Sequence, residues 1–183
     1  MALRYVILTL LNESPRTGYE IVKSFEDSVG YFWTASHQQV YRELSTLTDK
    51  ALVTFEEQAQ SGKPDKKIYQ ISATGQAALL EWLETPLKPA PTRETILVKL
   101  LGASRENSES LLAEIDSQTD RTIQRLATYR EIEQQHYKPP PDASQPVIEQ
   151  MLHLALRRGI IGAEANMAWL QEARSTIEAL AND

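Results

Sequence analysis

The segment Ser36-His37-Gln38-Gln39-Val40-Tyr41-Arg42-Glu43-Leu44-Ser45 gathers side chains able to recognise another molecule. Val40, Leu44 and Leu47 recur at helical spacing, so they bury one face and turn His37, Gln38, Arg42 and Ser45 away from the core. Those polar groups suit base edges and phosphates: arginine forks onto guanine, and the glutamine amide pairs with adenine. They lie at the N-terminal end of the predicted helix, the end that meets bases when a helix enters a major groove about 12 Å wide. A solvated helix face of ordinary polar residues has the same pattern, so this segment alone leaves both readings open.

A second group is cationic. Lys63, Lys66 and Lys67 surround the Gly62-Lys63-Pro64 tip of a polar loop and are countered there only by Asp65. Lysines on an exposed loop neutralise phosphates and release counterions. Surface loops also carry lysine for solubility, so the weight of this group comes from its place beside the predicted reading helix.

Catalytic chemistry finds little material. His37, His136 and His153 include no i, i+4 pair for a helical metal site, and cysteine is absent. No Gly-x-Ser-x-Gly elbow, phosphate-cradling glycine loop or dinucleotide fingerprint occurs. The expectation is a protein that is not an enzyme, with no metal and no cofactor. At 183 residues, 42% hydrophobic and 24% charged, the chain has the composition of a folded protein of one or two small domains. No apolar run approaches a membrane span and no export signal is visible, which points to the cytoplasm. The net charge of −6 argues against a general coat for nucleic acid or membrane. Residues 1–85 hold eight basic and eleven acidic side chains. DNA binding there requires the cations on one face, and a linked second copy would multiply the affinity.

The elements that must position these residues are punctuated by proline. Pro86, Pro89 and Pro91, then Pro139, Pro140, Pro141 and Pro146, separate pieces of about 1–84, 93–136 and 146–181. In the first piece, Leu3, Val6, Ile7, Leu10 and Leu11 predict a helix. Thr17-Gly18-Tyr19-Glu20 forms a capping box ahead of Ile21, Val22 and Phe25, with Gly30 as the stop, and Ser36 to Gln39 forms another. Leu52 to Phe55 and Lys67 to Ile71 read as strands flanking the lysine loop. Ser72 caps a fourth helix bearing Leu79, Leu80, Trp82 and Leu83. Three helices, a hairpin and a helix predict a winged helix-turn-helix domain over 1–85, α+β within a mainly α protein.

Residues 93–183 read as an all-helical domain. Leu111, Leu112, Ile115, Thr119, Ile123, Leu126 and Tyr129 draw a narrow stripe between charges, the mark of a helix that pairs with another. After Pro146 a long helix carries Met151, Leu152, Ala155, Gly159, Gly162, Ala163, Asn166, Leu170, Ala173, Ile177 and Leu180. Glycine inside a helix costs about 1 kcal/mol relative to alanine. Gly159 and Gly162 therefore point either to a closely packed neighbouring helix or to a kink.

The stretches LRYVILTLLNESPRTGYEIVKSFE, WTASHQQVYRELSTLTDKALV and KKIYQISATGQAALLEWL resemble the winged-helix domain of PadR-type transcriptional regulators. Gly18-Tyr19-Glu20, Gln39-Val40-Tyr41-x-x-Leu44 and Tyr69-x-Ile71-Ser72-x-x-Gly75 are the most specific parts. LRRGIIGAEANMAWLQE is similar to the long helix of the subfamily with an extended C-terminal domain, which includes virulence-gene activators. One departure is Ala51, where glycine is common in the family.

The resemblance implies a homodimer joined through its C-terminal helices, with the two winged domains on a near-palindromic double-stranded operator. Most such proteins repress transcription, some activate it, and several respond to small aromatic effectors. By motif position, Tyr19, His37, Gln38, Gln39, Tyr41 and Arg42 would lie at or near DNA, with Lys63, Lys66 and Lys67 on the wing. Tyr41 also fits the inward stripe of its helix. The acidic balance keeps a second reading open, an interaction module with the winged fold and no DNA readout. Trp33, Trp82 and Trp169 suit either an apolar effector pocket between the domains or core and interface positions.

Overall fold

The computed structural model describes residues 2–27, 30, 33–59, 66–89, 91 and 93–182. It divides into two compact units, Met1–Pro89 and Ala90–Asp183. The first contains α1 (Leu3–Glu13), β1 (Arg16–Thr17), α2 (Gly18–Asp27), α3 (His37–Asp49), β2 (Val53–Gln58), β3 (Lys66–Ile71) and α4 (Ala73–Glu84). The antiparallel sheet has the order β1-β3-β2. Its register runs from Val53 opposite Ile71 to Gln58 opposite Lys66, with Arg16 and Thr17 opposite Tyr69 and Ile68. This is the winged helix-turn-helix arrangement that the sequence predicts.

Local chemistry starts α2, α3 and α4 where the capping residues stand. The Glu20 amide donates to Thr17 Oγ1 at 3.2 Å, and Thr17 N–H donates to Glu20 Oε2 at 2.7 Å. In the same way Ser36 and Gln39 satisfy one another's backbone amides ahead of α3. Ser72 Oγ accepts from Gly75 N–H and donates to the Ala51 carbonyl, tying α4 to the end of α3. Each cap contributes about 1 kcal/mol. The faces so aligned meet in one core built from Ile7, Leu8, Leu11, Ile21, Val22, Phe25, Val40, Leu44, Leu47, Val53, Tyr69 and Leu79.

The end of α3 explains the departure at Ala51. Leu52 N–H donates to the Leu47 carbonyl and Ala51 N–H to that of Thr48, the paired bonds of a Schellman stop. That stop needs a left-handed residue, and Ala51 adopts φ 55°. A left-handed alanine brings its Cβ against the following carbonyl, a strain of about 1 kcal/mol that glycine escapes.

The second unit contains α5 (Thr95–Leu101), a 3-10 turn (Arg105–Asn107), α6 (Ser108–His136) and α7 (Val147–Asn182). Leu111 and Ile115 of α6 pack with Leu170, Ala173 and Ile177 of α7, and Ile96 and Leu100 of α5 lie against them. Asn166 Nδ2 donates to the buried Thr122 Oγ1 at 3.1 Å, a satisfied polar pair between the long helices. Arg130–Glu164, Arg157–Glu133 and Arg174–Asp116 link their rims. A Cβ on Gly159 would lie 2.9 Å from the Tyr129 ring of α6, so glycine is required there by close approach. Gly162 serves no such contact, since its nearest neighbour is Arg158 of its own helix. α7 is one continuous helix.

Burial selects among the apolar positions that the sequence offers. Leu8 joins the core, while Leu80 and Leu83 of α4 are exposed. On α6 the buried line passes through Thr122, and Ile123 faces out; on α7 Leu156 and Ile160 are buried and Met151 is exposed. A narrow stripe on a 3.6-residue period drifts by one position over a long helix, which apolar residue type alone does not reveal. The two-residue β1 and the separate α5 are further elements that the sequence reading did not resolve. Trp33 and Trp82 pack against the core of the first unit, Trp82 stacking on Tyr5 at 4.3 Å, and Trp169 packs against that of the second.

Candidate nucleic-acid interface

α3 buries Val40, Leu44 and Leu47 and exposes His37, Gln38, Gln39, Arg42 and Ser45. Gln39 is partly committed: its Oε1 accepts from the Ser36 amide at 2.8 Å, which leaves its amide NH2 for outside contacts. Tyr41 is 48% exposed and does not enter the core. Its ring lies over Gly18, the first residue of α2, where a Cβ would come within 2.6 Å of the ring edge. Gly18 is therefore the surface on which Tyr41 rests.

A cleft of about 720 Å³ opens beside this contact, bounded by α2, α3 and β3. Tyr19 and Lys23 line it from α2, Tyr41 from α3, and Lys66, Lys67 and Tyr69 from β3. Lys23 and Tyr69 are not among the site residues that the sequence suggests, although Tyr69 belongs to one of the motifs that carry the family resemblance. Lys23 follows Tyr19 by one helical turn, a signal that was legible on the face opposite Ile21, Val22 and Phe25. Tyr69 alternates with Ile68 on its strand and reads as an ordinary inward residue. It is buried, and that burial, with the neighbouring Tyr41 phenol, pushes its pKa above the usual tyrosine value. The Glu20 carboxyl is held below its usual range because it accepts from the Thr17 backbone and hydroxyl, with Lys66 and Arg16 adding to the effect.

Ion pairing sorts the cations. Arg4 is paired with Glu43, Arg16 with Glu13 and Lys67 with Glu57. The Lys67 ammonium also stands 4.1 Å from the Phe55 ring centroid, so two groups on its own hairpin compete for its charge. Lys23, Arg42 and Lys66 take part in no ion pair among the described residues. Glu43, Glu13 and Glu57 thus engage other cations, and among the described residues Lys23, Arg42 and Lys66 carry unpaired charge on α2, α3 and β3, as Lys50 does at the end of α3. Lys63 lies outside the described residues. Among the described residues, no group of three or more His, Asp or Glu side chains is placed to hold a metal ion, and no helix is long and apolar enough to cross a membrane.

The chain resembles known transcriptional regulators along most of its length. The transcriptional regulator PadR-like family matches residues 7–81, and the C-terminal region of the virulence activator alpha family matches residues 92–178. The "Probable transcriptional regulator Rv1176c" of Mycobacterium tuberculosis is 35% identical, covering 97% of this chain and 98% of its own. The Vibrio cholerae virulence activator AphA has a TM-score of 0.85 at 34% identity, over 98% of this chain and 99% of that one. Bacillus subtilis PadR in complex with operator DNA has a TM-score of 0.79 at 27% identity, over 97% and 99%, and the same protein has been solved with p-coumaric acid.

Proposed function

The chain belongs to the transcriptional regulator PadR-like family, and from that premise we propose that it is a homodimeric repressor that reads a near-palindromic operator with α3. The carrying observation is that Arg42 on the polar face of α3, with Lys23 and Lys66 in the neighbouring cleft, makes no ion pair among the described residues, on a unit that is acidic in sum. Arg42, Gln38 and His37 meet base edges, while Lys66, Lys63 and Tyr19 meet the backbone. The first unit is the DNA-binding domain and the second the dimerisation domain.

The second copy is supported by α7. Its buried residues Leu156, Ile160, Ala163 and Leu170 lie on one stripe, and Val147, Met151, Leu154 and Ile161 form another that is exposed, Val147 at 70%. An exposed apolar stripe at four- and seven-residue spacing pairs with a second helix. A small aromatic effector is proposed on the p-coumaric acid complex of the Bacillus subtilis relative. The cell compartment is the cytoplasm, where the operator is.

The test is selection of duplexes from a random library with the purified protein, followed by footprinting. An enriched inverted repeat is expected. Arg42→Ala with Lys66→Ala should weaken binding to it by at least a hundredfold and leave the dimer intact. No enriched sequence, or binding indifferent to salt, would favour an interaction module over a DNA reader.

A further inference from the structure

We propose that Arg4 of α1 is a charge mask for α3: it neutralises Glu43 and so keeps that helix acceptable to a polyanion. The inference rests on the DNA-binding reading and adds to it a positioning residue that lies outside the polar face of α3. Glu43 is the one acid in residues 37–47, set between the outward Arg42 and the buried Leu44. Arg42 and Glu43 sum to zero on α3. A carboxylate on a helix that approaches phosphates repels them, and partial burial extends its reach because less water screens it. Its Oε1 lies 3.3 Å from Arg4 Nε, so α1 supplies the compensating charge. Glu13 and Glu57, the other acids of this unit that hold cations among the described residues, stand on α1 and β2 instead.

Stability alone does not account for this pair. Arg4 Nε and Glu43 Oε1 are both shielded from solvent, and neither atom makes a hydrogen bond. Their attraction is therefore Coulombic. Taking two charges out of water costs about what such an attraction returns unless hydrogen bonds complete the geometry, so neutral side chains of similar size would hold the fold as well. Arg4 is also ill placed for its own helix. It stands in the first turn of α1, where the helix dipole disfavours a cation, with no acid in that turn and no side-chain cap from Ala2. Both costs fall on α1, and the benefit falls on α3, which keeps the positive excess of Arg42.

Arg4→Gln, Glu43→Gln and the double variant test the mask in the full chain, on the selected duplex and on random duplex. Each single substitution strands one charge and should lower the thermal midpoint, which the double variant should recover. Affinity should part from stability. Arg4→Gln should bind about tenfold more weakly, Glu43→Gln more tightly than the wild type, and the double variant close to it. The changes should be equal on selected and random duplexes, because a net charge acts on phosphates without regard to sequence. Arg4→Lys keeps the charge and should keep the affinity. Losses in both single variants that follow their thermal midpoints would reduce the pair to a brace for the fold and overturn the mask. Wild-type affinity in Arg4→Gln overturns it too. Where Arg4→Gln does not fold, Glu43→Gln decides: affinity at or below that of the wild type overturns the mask. All of these outcomes leave the DNA reading in place, whereas a wild type that selects no duplex overturns both.

Discussion

The two units bury their apolar residues in different ways. In the first, four helices and a small sheet close around a common core, and among the described residues its large exposed apolar side chains are Tyr19 and Tyr41 in the cleft and Leu80, Leu83 and Leu87 at and beyond the end of α4. In the second, two long helices share one seam and leave Ile123, Val147, Met151, Leu154 and Ile161 in the open. A helix pair has only one mutual face, so every further apolar stripe awaits another partner. The difference separates a unit with its own core, which presents polar groups, from one whose long helices retain an unpartnered apolar stripe.

Substitutions should separate the units accordingly. Leu44→Ala removes a fully buried side chain from the first core and should cost roughly 3 kcal/mol. Urea denaturation should show an early transition for that unit while sedimentation still reports a dimer. Leu154→Glu should do the converse: a charge in the exposed α7 stripe splits the proposed dimer in sedimentation and leaves the near-ultraviolet signal of Trp33 and Trp82 unchanged. A dimer that survives it would break the contrast between the two units.

Smaller effects sharpen the first half of the contrast. Ala51→Gly relieves the left-handed strain and should raise stability by about 1 kcal/mol, seen as a higher denaturation midpoint. Acid should act on the α2 cap. Glu20 has a lowered folded pKa, so its contribution is complete above the ordinary carboxylate value and is lost as pH falls through the folded one. The cap is solvent-screened, so the loss is about 0.5 kcal/mol. It should appear as a melting-point drop between pH 6 and pH 3 that Glu20→Gln reduces.

Much of the fold was legible along the chain. Thr17 with Glu20, Ser36 with Gln39, and Ser72 mark three helix starts because a cap is made within four residues of itself. Val40, Leu44 and Leu47 betray their face by period alone. The site was partly legible: polar α3 positions stand where expected, but Tyr41 was undecided between core and surface until Gly18 of another helix was seen beneath it.

What the sequence by itself determined is therefore local: where helices and strands start, and which residue types face inward. Which lysine keeps its charge for a ligand was settled only in three dimensions. Lys66 and Lys67 are neighbours in the chain, yet Glu57 and Phe55 engage Lys67 across the hairpin while Lys66 meets the cleft. Charge and burial depend on distance through space, and pairing β2 with β3 sets those distances for residues that adjacency in sequence does not distinguish.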